Sequence, residues 1–214
     1  MAAIPSSHPN HDQSPGDRTG ARLHCVDAGD AGRPAVEAFI RDVYRARYGA
    51  TVPAFAPTLV ALRDGAGEIV AAAGYRGAGD GPLFLERYLD APVERLLCPA
   101  GAAPLPRRRI VEVGHLAASR AGEGRRLILA LGPHLAARRF QWVASTLTQE
   151  LRHLFVRLGI TPLALAPAHP ETLGDAARDW GRYYDHAPVV LAGRLDSALR
   201  VLAQRGLVRP GVAG

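Results

Sequence analysis

The chain contains no lysine: all 26 of its basic residues are arginine. Such a bias is compositional, so the net charge of +6 and the pI near 10.0 say little about a partner. No helix-turn-helix, zinc-finger or aromatic RNA-binding pattern is present to convert this charge into base recognition. The sequence therefore predicts no nucleic-acid partner.

Cysteine is scarce, and long apolar runs are missing. The two cysteines, Cys25 and Cys98, lie far apart and in no metal-ligand spacing, so we expect reduced thiols and no metal site. No segment approaches the roughly 20 apolar residues that span a bilayer, and no integral membrane association is expected. Residues 1–21 are polar and proline-containing without an apolar core, which predicts a disordered leader rather than a secretion signal. We expect one domain over residues 22–214 and a cytoplasmic protein.

Motifs of several common enzyme classes are also missing. The sequence has no GxSxG elbow with histidine and aspartate in triad order, no HExxH and no cysteine cluster. Serine hydrolase and metalloenzyme functions are therefore poorly supported.

The most informative segment that is present runs from residue 110 to residue 160. Residues 110–113 are β-branched apart from Glu112 and predict a strand that ends near 115–117. Apolar residues at helical spacing predict a helix over 126–139. A second strand over 142–147 and a helix over 150–158, closed by Gly159, complete two parallel crossovers.

Between the first strand and its helix lies a turn with two glycines, Gly122 and Gly124. Glycine allows backbone conformations in which amide groups converge on an anion, and the helix that follows directs its first N–H groups at the same point. Arg120, Arg125 and Arg126 flank these glycines. This turn is therefore a candidate phosphate site.

The rest of the chain also alternates between helix and strand signals. An amphipathic helix is predicted over 35–48, and a hairpin over 58–62 and 68–75. The small residues 71–74 favour either room for a ligand chain or close helix packing. Residues 83–89 predict a helix or lid, and 99–106 a loop. Downstream we expect a strand at 162–166, a short helix at 170–179, a strand at 189–193 and a helix at 195–205, with the sheet order left open.

The central segment resembles the GNAT-type N-acyltransferases, whose closing helix, usually written AxxLYxKxGF, is similar to LRHLFVRLGI. Nearly the whole chain resembles the bacterial thermostable hemolysins, through FIRDVYRARYGA, LVALRDGAGEIVAAAGYR, LFLERYLD, IVEVGHLA, LRHLFVRLGI and WGRYYDHAPVVLAGRL. These proteins in turn resemble distant acyl-homoserine lactone synthases. The implied fold is α/β (α+β): a mixed, mostly antiparallel sheet with a V-shaped split between two parallel strands, flanked by helices.

The resemblance also implies an activity. It implies transfer of an acyl group from an acyl thioester, acyl-CoA or an acyl-phosphopantetheine carrier protein, to an amine or amino-acid-derived acceptor. The glycine turn departs from the family pattern, because one residue instead of two separates Arg120 from Gly122, and Glu123 places a negative charge in the loop. The choice between coenzyme A and an acyl carrier protein as donor therefore stays open. A membrane-active protein without catalytic activity, which the hemolysin name implies, is the alternative.

Glu112 and His115 are the predicted catalytic residues. In the synthases a tryptophan-glutamate-x-serine-arginine-phenylalanine strand occupies this position, so Glu112 matches the glutamate and His115 replaces the arginine. On an unbroken strand the two side chains point to opposite faces, and a bulge at Gly114 is needed to bring them into one cleft. Glu112 is then a general base or the partner of an arginine, and His115 is a ligand-facing group or a core histidine.

Other site residues follow from the resemblance or from residue type. The family supplies the oxyanion contact from backbone amides near Leu116 and Ala117. Thr146 is placed to hydrogen-bond a pantetheine arm, although strand propensity explains it equally well. Cofactor phosphates are assigned to Arg120, Gly122, Gly124, Arg125 and Arg126. Several arginines near this segment suit a phosphate-bearing cofactor or an acidic carrier protein, but each is explained equally well as a solvated surface charge. They are Arg107, Arg108, Arg109, Arg125, Arg126, Arg138 and Arg139.

Aromatic residues are the candidates for substrate binding. The resemblance places the first helix and the loop after it along the acceptor site, and residues 83–89 beside them. Trp180 and its neighbours concentrate aromatic rings with polar tips, which suits either a substrate edge or a structural corner. The candidate substrate-binding residues are Tyr44, Tyr48, Phe55, Phe84, Trp180 and Tyr184.

Overall fold

A computed structural model describes residues 22–98, 101, 103 and 105–208. The predicted leader at 1–21, and parts of the predicted loop at 99–106, lie outside the described residues. Seven strands form one sheet in the order β1-β2-β3-β4-β5-β7-β6. The strands are β1 Arg22–Val26, β2 Thr58–Arg63, β3 Ile69–Gly77, β4 Ile110–Ala118, β5 Trp142–Leu147, β6 Leu163–Pro167 and β7 Val189–Arg194. The helices are α1 Arg33–Tyr48, α2 Val93–Leu96, α3 Glu123–Ala137, α4 Gln149–Leu158 and α5 Leu195–Gln204, with 3-10 turns that include Phe84–Tyr88 and Pro170–Trp180.

The sheet splits where its parallel pair separates. Adjacent strands are antiparallel except β4 and β5, which pair over Ile110–Glu112 and Trp142–Ala144. Past Glu112 these two strands no longer pair. The mixed sheet with a split between parallel strands, predicted through the family resemblance, is therefore confirmed.

Alternating residues of β3 divide the core between the two faces of the sheet. Ala72 packs against the α1 side, whereas Ala71, Ala73 and Tyr75 pack against the α3 side. Gly74, the remaining small residue of this strand, borders a cavity on the α1 side. The three alanines thus serve close packing, and Gly74 leaves space beside the sheet.

Local sequence signals predicted the ends of most helices and strands to within a few residues. Gly159 ends α4 with φ 80°, in the left-handed conformation expected of a helix-ending glycine. Helix α3 begins at Glu123 rather than 126, since Gly122, with φ 91°, already marks the break before it. The segment 170–180 forms 3-10 turns with a break at Gly174 rather than a regular helix.

Two features of the sheet were not predicted. Strand β1 adds an edge to the hairpin, and β7 inserts between β5 and β6. Strand β6 therefore runs parallel to β5, as expected of a crossover, but pairs with β7 instead. Within the described residues, no helix is long and apolar enough to cross a membrane, and no group of three or more metal-ligating side chains is found.

Candidate active site

A cavity of about 750 Å³ opens on the α1 side of the sheet, beside the split between β4 and β5. Its floor is formed by β3 and β4, and its walls by α1, the loop after it, residues 82–88 and the 3-10 turns near residue 180. All six aromatic residues predicted to bind substrate line this cavity: Tyr44, Tyr48, Phe55, Phe84, Trp180 and Tyr184. The structure thus brings together side chains that are up to 140 positions apart in the chain.

Glu112 lies at the floor of this cavity. Its two carboxylate oxygens accept hydrogen bonds from the backbone N–H groups of Phe84 (2.7 Å) and Leu85 (2.9 Å). Burial raises the pKa of Glu112 above its usual value, and the two N–H donors oppose that rise. No arginine lies within ion-pairing distance of Glu112 among the residues that the structure describes. The carboxylate is therefore positioned by amide groups.

His115 faces the same cavity because β4 bulges. Gly114 pairs with Gly74 and Ala117 with Ala72, so His115 and Leu116 together face Ala73 alone. His115 itself has a φ of 53°. This extra residue turns the imidazole to the face that Glu112 occupies. The predicted bulge is present, and it starts at the residue after Gly114.

The His115 ring is neutral, and only one of its two nitrogens has a hydrogen-bond partner among the described residues. Its Nε2 lies 3.2 Å from the Ala54 carbonyl oxygen, which accepts a hydrogen bond, so Nδ1 carries the free lone pair. Nδ1 is buried and has no partner among the described residues. Burial lowers the pKa of His115 to about 4. The ring therefore offers one buried hydrogen-bond acceptor.

Glycine at position 74 makes room for that ring. A Cβ on Gly74 would lie 3.0 Å from His115 Nδ1 and 2.9 Å from the Ala56 Cβ. Both distances are too short for ordinary packing. On its other side the imidazole contacts Phe55, with ring centroids 5.4 Å apart.

Thr146 and Leu116 border the opening between β4 and β5. Thr146 lines the large cavity, and its buried Oγ1 has no hydrogen-bond partner in the described part of the chain. Leu116 lines both this cavity and a second one of about 100 Å³ on the α3 side. Val113 is also shared by the two cavities. Ala117, by contrast, packs in the α1 core and lines neither cavity.

The glycine turn lies beyond the end of β4, outside the lining of both cavities. Gly122 precedes α3, and Arg120, Gly122 and Arg125 are exposed. Glu123 does not point freely into solvent, because both of its oxygens accept hydrogen bonds from Arg126 (3.0 and 2.8 Å). Arg126 is thereby neutralised, which leaves Arg120 and Arg125 as the exposed cations of the turn.

The sequence from residue 26 to residue 199 matches the family model described as thermostable hemolysin. The chain belongs to the thermostable hemolysin family. No curated protein is significantly similar to this hemolysin-family chain in sequence.

Solved structures share its fold at low identity. FeeM, an N-acyl amino acid synthase from uncultured soil microbes, has a TM-score of 0.61 at 14% identity, over 88% of this chain and 98% of FeeM. The acyl-homoserine lactone synthase LasI has a TM-score of 0.60 at 14% identity, over 91% of this chain and 100% of LasI. BjaI, a CoA-dependent acyl-homoserine lactone synthase solved with SAM and isopentyl-CoA, has a TM-score of 0.55 at 15% identity, over 89% and 92% of the two chains. This thermostable hemolysin-family chain therefore shares the fold of these synthases.

Three more residues of this hemolysin-family site lie outside the predicted set, although two of them fall in segments that the sequence placed beside it. Tyr183 and Tyr88 line the cavity, and the Tyr88 hydroxyl lies 2.7 Å from that of Tyr184. Both belong to aromatic clusters in the sequence, which was the available signal. Arg76 also lines the cavity, opposite Glu112 across the β3–β4 pair. Its position depends on strand register, which the sequence left undetermined.

Proposed function

We propose that this protein is an N-acyltransferase that moves an acyl group from an acyl thioester to an amine or amino-acid-derived acceptor. One observation carries the proposal: the β4 bulge directs Glu112 and His115 into a single cavity at the point where the parallel strands separate. The shared fold with acyl-transferring synthases supports it.

Glu112 is the proposed general base. The acceptor enters as an ammonium ion and must lose a proton before its nitrogen can attack a carbonyl carbon. A carboxylate whose pKa is raised by burial is a stronger base than an exposed one, and Glu112 meets that condition. His115 Nδ1, an acceptor without a partner, is suited to hold a remaining N–H of the amine. The base and this acceptor together orient the nitrogen.

The thioester is proposed to enter through the split. Attack by nitrogen forms a tetrahedral oxyanion, for which the Leu116 backbone N–H in the bulge is the candidate donor. Collapse breaks the carbon–sulfur bond; the nitrogen loses its second proton, which the departing thiolate takes up to leave as a thiol, while the proton held by Glu112 passes to solvent. The partnerless Thr146 hydroxyl suits an amide of the pantetheine arm. The smaller cavity, lined almost wholly by apolar residues, suits the acyl chain.

The donor is coenzyme A or an acyl carrier protein. The glycine turn before α3 supplies backbone N–H groups and two exposed arginines for phosphate, Arg120 and Arg125. Both donors carry the same phosphopantetheine arm. Calorimetric titration with acyl-CoA, and separately with acylated carrier protein, distinguishes them.

A Glu112→Gln variant tests the role of the base. We expect donor binding to persist and kcat to fall by about 10²–10⁴-fold, as is typical on removal of a general base. Thiol release measures turnover, and because the chain has no lysine, no side-chain amine of the protein competes for the acyl group. Unchanged turnover would remove Glu112 from the mechanism.

Glu86→Gln is the matched control. Glu86 also lines the cavity and also accepts backbone N–H bonds, from Leu83 (2.8 Å) and Val93 (3.1 Å). Glu86→Gln therefore measures how much activity is lost when this segment is loosened, and a much larger fall in Glu112→Gln assigns the difference to loss of the base. Lysis of liposomes by the purified protein without any acyl donor would instead support a membrane-active function.

A further inference from the structure

Arg76 and Glu112 are direct neighbours across β3 and β4, and both line the large cavity. Side chains that face each other on one side of an antiparallel pair have Cβ atoms about 5 Å apart. A guanidinium and a carboxylate in this arrangement normally form an ion pair. Here they do not, because Glu112 is turned toward the N–H groups of Phe84 and Leu85.

The Arg76 guanidinium is consequently left without an anion. Its one hydrogen bond to another residue in the described part of the chain goes from Nη1 to the Pro82 carbonyl oxygen, at 3.3 Å. No carboxylate of the described residues lies within 4 Å of it. A half-buried arginine with open donors beside a cavity is able to accept a carboxylate in bidentate geometry.

Three other charged side chains lie around the cavity, and of these only Glu86 has an oppositely charged partner among the described residues. Glu86 is paired with Arg107, and Asp179 accepts a hydrogen bond from the Thr51 hydroxyl at 3.2 Å. Arg87 lies at the exposed rim with its guanidinium carbon 4.8 Å from the centre of the Phe84 ring. Within the part of the chain that the structure describes, Arg76 is therefore the unpaired charge that lies directly beside the base, on the neighbouring strand.

We propose that Arg76 binds a carboxylate of the acceptor, which makes the acceptor an amino acid rather than a simple amine. The proposal rests on the acyltransferase function proposed above. Glu112 and Arg76 then hold the ammonium and the carboxylate of one zwitterion from adjacent strands. The surrounding aromatic wall, including Tyr44, Tyr48 and Trp180, suits an acceptor with a large apolar or aromatic side chain.

This arrangement also links acceptor binding to the strength of the base. The positive charge of Arg76 acts to lower the pKa of both Glu112 and His115. A bound carboxylate offsets that charge and removes its effect on the pKa of Glu112, whereas the ammonium group of the same zwitterion acts to lower that pKa.

The test compares an amino acid with its carboxamide. With phenylalanine and phenylalaninamide as acceptors and one acyl thioester as donor, we expect wild-type kcat/KM to be roughly 100-fold higher for the acid, the scale of a charge-assisted bidentate contact. Arg76→Gln should abolish this preference by slowing the acid and leaving the amide within about three-fold. Arg76→Lys should restore part of it.

Arg87→Gln is the matched control, because it removes a guanidinium at the rim of the same cavity. It should leave the acid-to-amide ratio within about three-fold. Thermal unfolding of each variant verifies that it is folded. An unchanged acid-to-amide ratio in folded Arg76→Gln overturns the proposal. If donor binding is also weaker in that variant, Arg76 is assigned to the donor instead.

A binding measurement separates this proposal from the proposed function. Calorimetry with N-butanoyl-phenylalanine and its carboxamide, the products expected from the two acceptors, needs no turnover. Tighter binding of the acid that is lost in Arg76→Gln supports the carboxylate site even if no acyl transfer is detected. Acyl transfer with equal preference for acid and amide retains the function and refutes the carboxylate site.

Discussion

His115 combines an unusual backbone conformation with a buried neutral ring. Burial lowers its pKa to about 4 from an ordinary value of 6.5, so between these pH values the unfolded chain binds a proton that the folded chain does not. His115 thus contributes stability that is fully present above pH 6.5 and is lost as the pH falls toward 4. The expected loss is about 3 kcal/mol at most.

His115→Asn tests this contribution. Asparagine tolerates the left-handed conformation at φ 53° better than most residues and does not titrate. Urea unfolding at several pH values should show that wild type loses more stability than the variant between pH 6.5 and pH 4. His153→Asn, which removes an exposed histidine on α4, should keep the wild-type pH dependence. Equal losses in wild type and His115→Asn would contradict a buried neutral ring.

For single residues, the sequence predicted where a feature lies along the chain better than it predicted which residues are in contact. The β-branched run followed by Gly114 predicted where the strand would bulge, because these signals are local. It did not predict that Glu112 would bind the N–H groups of residues 84 and 85, since that contact joins segments 27 and 28 residues apart. It identified Gly74 only as one of four small residues, because the contact with the imidazole depends on how the strands pair.

At the scale of secondary-structure elements, Arg107, which lies just before β4, holds residues 78–97 in place through hydrogen bonds. Its guanidinium donates to both oxygens of Glu86, to Glu94 and to the carbonyl oxygens of Ala78 and Gly81. Although burial acts to raise it, hydrogen bonds from Arg107 and the backbone hold the pKa of Glu86 at about 2. This cluster supports the segment whose N–H groups position Glu112.

Arg107→Gln should therefore loosen this segment. Loss of the charged hydrogen bonds costs about 2 kcal/mol, which corresponds to roughly 30-fold faster amide exchange over residues 83–97. Hydrogen–deuterium exchange with mass spectrometry measures the change, and exchange in α3 should stay as in wild type. Arg95→Gln removes an exposed arginine of the same segment and should have no effect. Equal protection in wild type and Arg107→Gln would show that the segment is held by other contacts.

Across the whole molecule, the split in the sheet connects the two faces. The large cavity with Glu112 lies on the α1 side, the small apolar cavity lies on the α3 side, and Val113 and Leu116 border both. Local signals predicted the crossover from β4 to β5, and the family resemblance implied the split. They did not predict the insertion of β7 between β5 and β6, because strand order depends on how distant segments pair, and β7 supplies one wall of the small cavity through Leu191, Ala192 and Gly193.

The size of the small cavity predicts a preference for short acyl chains. Each methylene that enters it should strengthen binding by about four-fold, from roughly 0.8 kcal/mol per buried group. A volume of about 100 Å³ is smaller than that of an apolar cavity of about 150 Å³ that holds benzene, so the gain should end after a few carbons. Calorimetric titration with acetyl, butyryl, hexanoyl and octanoyl coenzyme A, or with the matching carrier thioesters, measures the series.

Ala198→Leu on α5 places a larger side chain in this cavity and should move the preferred chain to fewer carbons. Gln204→Leu, at an exposed position of the same helix, should leave the series unchanged. If Ala198→Leu does not alter the preference, the acyl chain must lie in the large cavity instead. The acceptor and the acyl chain would then compete for one space, and the optimum chain length would vary with the size of the acceptor.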